Sequence, residues 1–179
     1  MPQYFPPGIL ASQPKNETFV IDWYTRNLKA LQEPSLWELS QKAPRAEAYR
    51  FLYLRSFDNP IAVRLVVADG GGRLFSKRAS GKAGYETGHL IFNRESPLSN
   101  EATEWFLAEL KYAGFWDLPT RDDSRQVLDG AQWIVEGVKQ GRYHVVDRPS
   151  PDPKDPAHIL GTALMINLAR FRLLYQKVY

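Results

Sequence analysis

Hydrophobic positions along the chain change period several times, and each change marks an element. Val20, Trp23, Tyr24, Asn27, Leu28 and Leu31 recur at steps of three and four, which predicts an amphipathic helix from about 17 to 31. The proline-rich residues 1–16 ahead of it read as an extended arm, and 17–179 as a single domain. A second, short helix starts at Pro34-Ser35-Leu36-Trp37-Glu38, where Ser35 and Glu38 have the spacing of a capping box. Runs rich in aromatic and β-branched residues then predict strands at Tyr49 to Phe57, Ile61 to Ala68 and Arg73 to Ala79. Asp58-Asn59-Pro60 and Asp69-Gly70-Gly71-Gly72 supply the turns between them, and a short fourth strand follows at His89 to Asn93.

A helix from Asn100 to Ala113 has Ser99 or Asn100 as cap and Gly114 as stop, with Ala102, Trp105, Phe106, Leu110 and Ala113 on its apolar face. Phe115-Trp116-Asp117-Leu118-Pro119 closes it as a hydrophobic plug, and a charged loop covers Thr120 to Leu128. Asp155-Pro156 opens a last helix that runs to about Gln176, with Leu160, Leu164, Leu168, Phe171, Leu174 and Tyr175 on its buried side. This order is α+β: an antiparallel sheet, made of a four-strand meander and a hairpin, with the last two helices packed on one face. The other face carries the N-terminal helices or offers a binding surface.

The hairpin is formed by Gln132 to Val138 and Arg142 to Arg148. If Lys139-Gln140-Gly141 is a three-residue loop, Trp133, Val135, Tyr143 and Val145 share one face. Gln132, Glu136, Arg142, His144 and Arg148 dominate the other. A two-residue turn at Gln140-Gly141 would instead place Glu136 with Tyr143 and Val145, mixing a charge into the apolar set. The first register segregates better and is the one expected. It lays Gln132, Glu136, Arg142, His144 and Arg148 out as a polar binding strip. Such a strip needs no catalytic role, since cross-strand charge pairs occur on solvated sheets, and Glu136→Gln or His144→Ala is then expected to leave the fold intact.

The pattern Asp129-Gly130-x-x-Trp133-x-x-Glu136-Gly137, followed by Gly141-x-Tyr143-His144-x-Val146-x-Arg148-x-Ser150-Pro151, resembles a family of uncharacterised bacterial proteins. Tyr49 to Phe57, Pro60 to Arg64, Gly84-Tyr85 with Gly88, and Phe115 to Pro119 are similar to other landmarks of that family, so the likeness spans about 34 to 175. Pro149 departs from it, standing where a tryptophan is expected. The resemblance implies no activity.

Composition adds limits. The chain has 179 residues, 44% of them hydrophobic and 24% charged, which suits one soluble globular core; it has no cysteine, so neither disulfides nor thiolate chemistry contribute. The net charge of +3 is dispersed among acids. Its densest stretch, Arg73, Lys77, Arg78 and Lys82 with Phe75 and Tyr85 nearby, reads as a solvated edge strand in preference to a phosphate-binding surface, so no specific nucleic-acid partner is expected. No run reaches the ~20 apolar residues of a membrane span. The opening lacks the features of an intact signal peptide, which places the protein in the cytoplasm, or in the periplasm if a signal has been removed.

Catalytic signatures are thin. Gly70-Gly71-Gly72 leads into a strand and not a helix, unlike a phosphate loop. The three histidines, His89, His144 and His158, have no zinc-site spacing, and His158 reads as support for the Asp155 cap. Ser150 lies in a plain turn with no nucleophile elbow around it. No cofactor is implied. The expected function is therefore binding of a protein partner, specifically inhibition of a toxin by an immunity protein. The alternative is a small hydrolase or small-molecule binder using Glu136, His144 and Arg148.

Overall fold

The computed structural model describes residues 3–10, 14–122 and 130–171. Six antiparallel strands form one sheet in the order β4-β3-β2-β1-β5-β6: β1 Glu47–Arg55, β2 Ile61–Ala68, β3 Gly71–Ala79, β4 Leu90–Ser99, β5 Ala131–Lys139 and β6 Arg142–Pro149. The helices are α1 Pro14–Ala30, α2 Leu36–Lys42, α3 Asn100–Tyr112 and α4 Pro156–Thr162, the last continued by a π-helical segment, Ala163–Leu168. The α+β class and the antiparallel sheet expected from the sequence are thus present.

Both faces of the sheet are covered. On one, Tyr24, Leu28 and Leu31 of α1 pack over Leu52, Leu54, Ala62, Ile134 and Val145, while Leu36 of α2 meets Ala48 and Val138. On the other, Phe106 and Leu110 of α3 and Leu160 of α4 pack with Leu164 over Tyr49, Phe51, Val63, Trp133, Val135 and Val146. Gly161 brings α4 so close to the sheet that a Cβ there would lie 2.7 Å from both Phe51 and Trp133 side-chain atoms. Three of the described residues ahead of α1 belong to the core as well. Tyr4, Phe5 and Leu10 are buried with α1, so the described stretch 3–10 packs on the domain and is not a free arm, and the helix begins by Pro14.

Local signals act largely as chemistry dictates. Ser35 caps α2 by accepting from Glu38 N, although the Glu38 carboxylate accepts from Gln3 N and not from the cap residue. Ser99 caps α3 through Ala102 N, and Gly114 takes the left-handed conformation that ends it. Asp155 caps α4 with Pro156 in the first turn. The His158 ring stacks on Trp133 at 4.7 Å and feels the Asp155 charge from one turn away.

Four expectations are corrected. The strand Arg73 to Ala79 is interior, with β2 on one side and β4 on the other; β4 is the edge strand on that side and runs to Ser99, well beyond Asn93. Trp105 is partly exposed, and Thr103 takes the inward position on α3. Among the described residues the last helical run ends at Leu168, followed by Arg170 with a positive φ; Leu174, Tyr175 and Gln176 lie outside the described residues, as does most of the loop Thr120 to Leu128.

Candidate functional site

The hairpin takes the register that the polarity argument disfavours. Lys139 pairs with Arg142, leaving a two-residue turn at Gln140-Gly141, and Glu136 pairs with Val145. Gln140 and Gly141 have φ of 51° and 75°, the positive values of a type I′ turn, whose twist matches that of the flanking strands. Glu136 consequently shares a face with Gln132, Tyr143, Val145 and Asp147, while His144 and Arg148 share the opposite face with Trp133 and Val135. The polar strip of Gln132, Glu136, Arg142, His144 and Arg148 does not form. Parity failed because it presumes one wet face, whereas helices cover both faces here and β5 is buried along nearly its whole length.

Glu136 has no exposed surface, and its countercharge comes from the neighbouring strand. Arg50, paired with it across β1 and β5, donates from Nε (2.8 Å) and Nη2 (2.6 Å) to Glu136 Oε2, and Tyr143 donates to Oε1 at 2.9 Å. Arg50 Nη1 donates to Pro34 O at 2.6 Å and lies 3.5 Å from Glu33 Oε2. Arg64 on β2 and Lys77 on β3 extend the row, approaching the same Glu33 carboxylate at 2.8 and 3.0 Å. A line of ionisable side chains thus crosses five strands beneath the α1–α2 turn. Burial alone would raise the Glu33 pKa, but Arg64, Arg50 and Lys77 outweigh it and hold it below the usual carboxylate value. For Arg50, burial opposes the charge and the two glutamates restore it, leaving its pKa raised.

A second buried carboxylate, Asp147, accepts from Tyr24 Oη at 3.0 Å and from Gln132 Nε2. Burial raises its pKa despite those donors and the nearby Arg121.

On the opposite face the remaining hairpin residues fasten the plug. Gly137 leaves room for Phe115, whose ring also packs at 5.1 Å from His144. Burial first, then Arg142, lowers the His144 pKa. Arg148 is almost fully buried and donates to Pro119 O (2.7 Å) and Thr120 O (2.9 Å). Arg142 is exposed; it donates to Trp116 O and lies over the Trp116 ring at 5.1 Å. Ser150 exchanges hydrogen bonds with the Ala131 backbone, as a turn residue does.

Sequence reasoning passed over Glu33, took Arg50 and Arg64 only as parts of strand landmarks, and read Lys77 as a solvated edge lysine, whereas Lys77 is buried. A signal existed: Arg64 stands alone in an otherwise apolar strand and Arg50 sits among apolar residues in the middle of β1, where a charge has to find a buried partner. It also passed over Phe57. Phe57 (60% exposed) and Tyr85 (65% exposed) pair their rings at 5.7 Å beside a cleft of about 490 Å³ that Ser80, Gly81, Lys82 and Glu86 complete. Among the described residues, no group of three or more His, Asp or Glu side chains is placed to hold a metal ion, and no helix is long and apolar enough to cross a membrane. No protein-family model, curated protein or solved structure matches the chain.

Proposed function

We propose that this chain is a non-catalytic bacterial protein-binding protein, and within that class an immunity protein that inhibits a toxin. The observation that carries the reading is the exposed Phe57–Tyr85 pair. Two large aromatics, set beside a cleft and rimmed by Lys82 and Glu86, have the composition of an interface anchor in a polar surround. The hairpin supports the reading from the other side, since Glu136 and Arg148 use their hydrogen-bonding groups inside the molecule. The contact surface accordingly moves from the hairpin strip to the corner formed by the β1–β2 turn and the β3–β4 loop, with exposed Arg142 as the strip residue still open to a partner.

The alternative, a small hydrolase or small-molecule binder using Glu136, His144 and Arg148, requires one pocket to enclose all three. Glu136 lies on the other side of the sheet from His144 and Arg148, so the geometry favours the binding reading. The test is co-expression with the product of the neighbouring open reading frame. That product should arrest growth of a bacterial host, this protein should relieve the arrest, and Phe57→Ala/Tyr85→Ala should fold normally but fail to protect. An arrest unchanged by the wild-type protein, or protection undiminished in the double variant, contradicts the proposal.

A further inference from the structure

We infer that the buried cationic row is an oxyanion-binding site held shut by the chain's own Glu33, with the α1–α2 turn as its latch and a phosphate-type dianion as the ligand it would take. This inference is independent of the toxin-inhibitor reading. It rests on the charge count, the access and the construction of the turn.

The row holds three cations, Arg50, Arg64 and Lys77, against two carboxylates, Glu33 and Glu136. Glu136 takes the two short Arg50 hydrogen bonds, from Nε and Nη2, while Arg50 Nη1 stands farther from Glu33, at 3.5 Å, than Arg64 (2.8 Å) or Lys77 (3.0 Å) does; three cations thus face two carboxylates, and the excess positive charge lies towards Arg64 and Lys77. A ligand carrying nearly two negative charges balances them where one carboxylate does not.

Access follows the same division. Arg50 and Glu136 have no exposed side-chain surface, whereas Arg64 and Lys77 retain 10% and 8% of theirs, so the under-neutralised end of the row is the end that reaches solvent.

The turn that supplies Glu33 is built as a removable cover. Gln32 and Pro34 are exposed on either side of the buried Glu33. Gln32 has a φ of 51°, which side-chain-bearing residues rarely adopt. Lys77 Nζ donates to Gln32 O at 2.7 Å, and Tyr4 Oη donates to Glu33 O at 2.9 Å. Ser35 Oγ donates to Gln3 O at 2.6 Å, so the N-terminal arm fastens the latch from outside. The Glu33 carboxylate therefore stands where an external oxyanion would, and competes with it.

Inorganic phosphate is the probe. Wild type, Glu33→Gln and Glu33→Gln/Lys77→Gln are titrated calorimetrically at matched ionic strength, with chloride as the control. Glu33→Gln should bind phosphate about tenfold or more tightly than wild type, and the added Lys77→Gln should remove that gain. Equal binding by wild type and Glu33→Gln places the phosphate elsewhere on the surface and overturns the inference. So does a gain that survives Lys77→Gln. A Glu33→Gln protein that folds in phosphate and not in chloride supports the inference. One that stays unfolded in both salts overturns it, because Glu33 is then a structural counterion that phosphate cannot replace.

Discussion

Gly137 shows how a residue that looks like part of a motif can be fixed by packing alone. A Cβ at this position would lie 2.6 Å from Phe115 Cε1 and 3.0 Å from Tyr49 Cδ1, so the plug seats on β5 only if the side chain is absent. Gly137→Ala should cost about 1–3 kcal/mol, the range for overpacking a filled core, read as a lower urea midpoint; an unchanged midpoint would mean that the Phe115 ring moves freely. Neighbouring positions follow the same logic. Trp133 carries α4 through Gly161 and His158, Glu136 neutralises Arg50, and Arg148 holds the carbonyls of Pro119 and Thr120. The glycines, aromatics and charges of the hairpin thus form a set of mutually dependent contacts. For Glu136 this reverses the expectation that neutralisation is harmless, since removing one partner strands a buried charge.

At the level of elements, the sequence was informative where one periodicity dominated. The α1 stripe of Tyr24, Leu28 and Leu31, the Ser99 cap, the Gly114 stop and the existence of the first three strands were legible because local chemistry decides them, whereas the interior place of the third was not. The hairpin register was not, because it is set by Arg50, a residue 86 positions from Glu136, and by cover on both sheet faces. The end of the last helix was also hidden: Leu160, Leu164 and Leu168 continue a helical spacing through the π segment, and nothing in that spacing announces the stop after Leu168. The turn offers a direct check. Gln140 adopts a left-handed conformation that asparagine tolerates better, so Gln140→Asn should stabilise the protein by about 0.5–1 kcal/mol in urea titrations. Destabilisation would argue for the three-residue loop instead.

Across the whole molecule, buried ionisable groups couple stability to pH in opposing directions. The pKa values of His144 and His158 are both lowered, first of all by burial. The unfolded chain therefore takes up their protons first. Their contribution is intact above the unfolded value of about 6.5 and is lost as pH falls through the lower folded values. Glu33 behaves likewise in a more acidic window, retaining its contribution above about 4.3 and losing it as pH falls through its depressed folded value. Asp147 acts in the opposite sense, because its raised pKa makes the folded chain the better proton acceptor. The melting temperature should decline between about pH 7 and 5, and His144→Gln/His158→Gln should flatten that decline; an identical slope in the double variant would remove the histidines as its cause. The central claim is that the hairpin's acid is an interior member of a charge row and not an exposed site. A double-mutant cycle on Arg50→Met and Glu136→Gln, followed by urea denaturation, tests it most directly. Each single variant should lose about 3–5 kcal/mol, with the double variant losing clearly less than their sum. A Glu136→Gln protein within about 0.5 kcal/mol of wild type, with additive losses, is the behaviour of an exposed residue and would contradict the account.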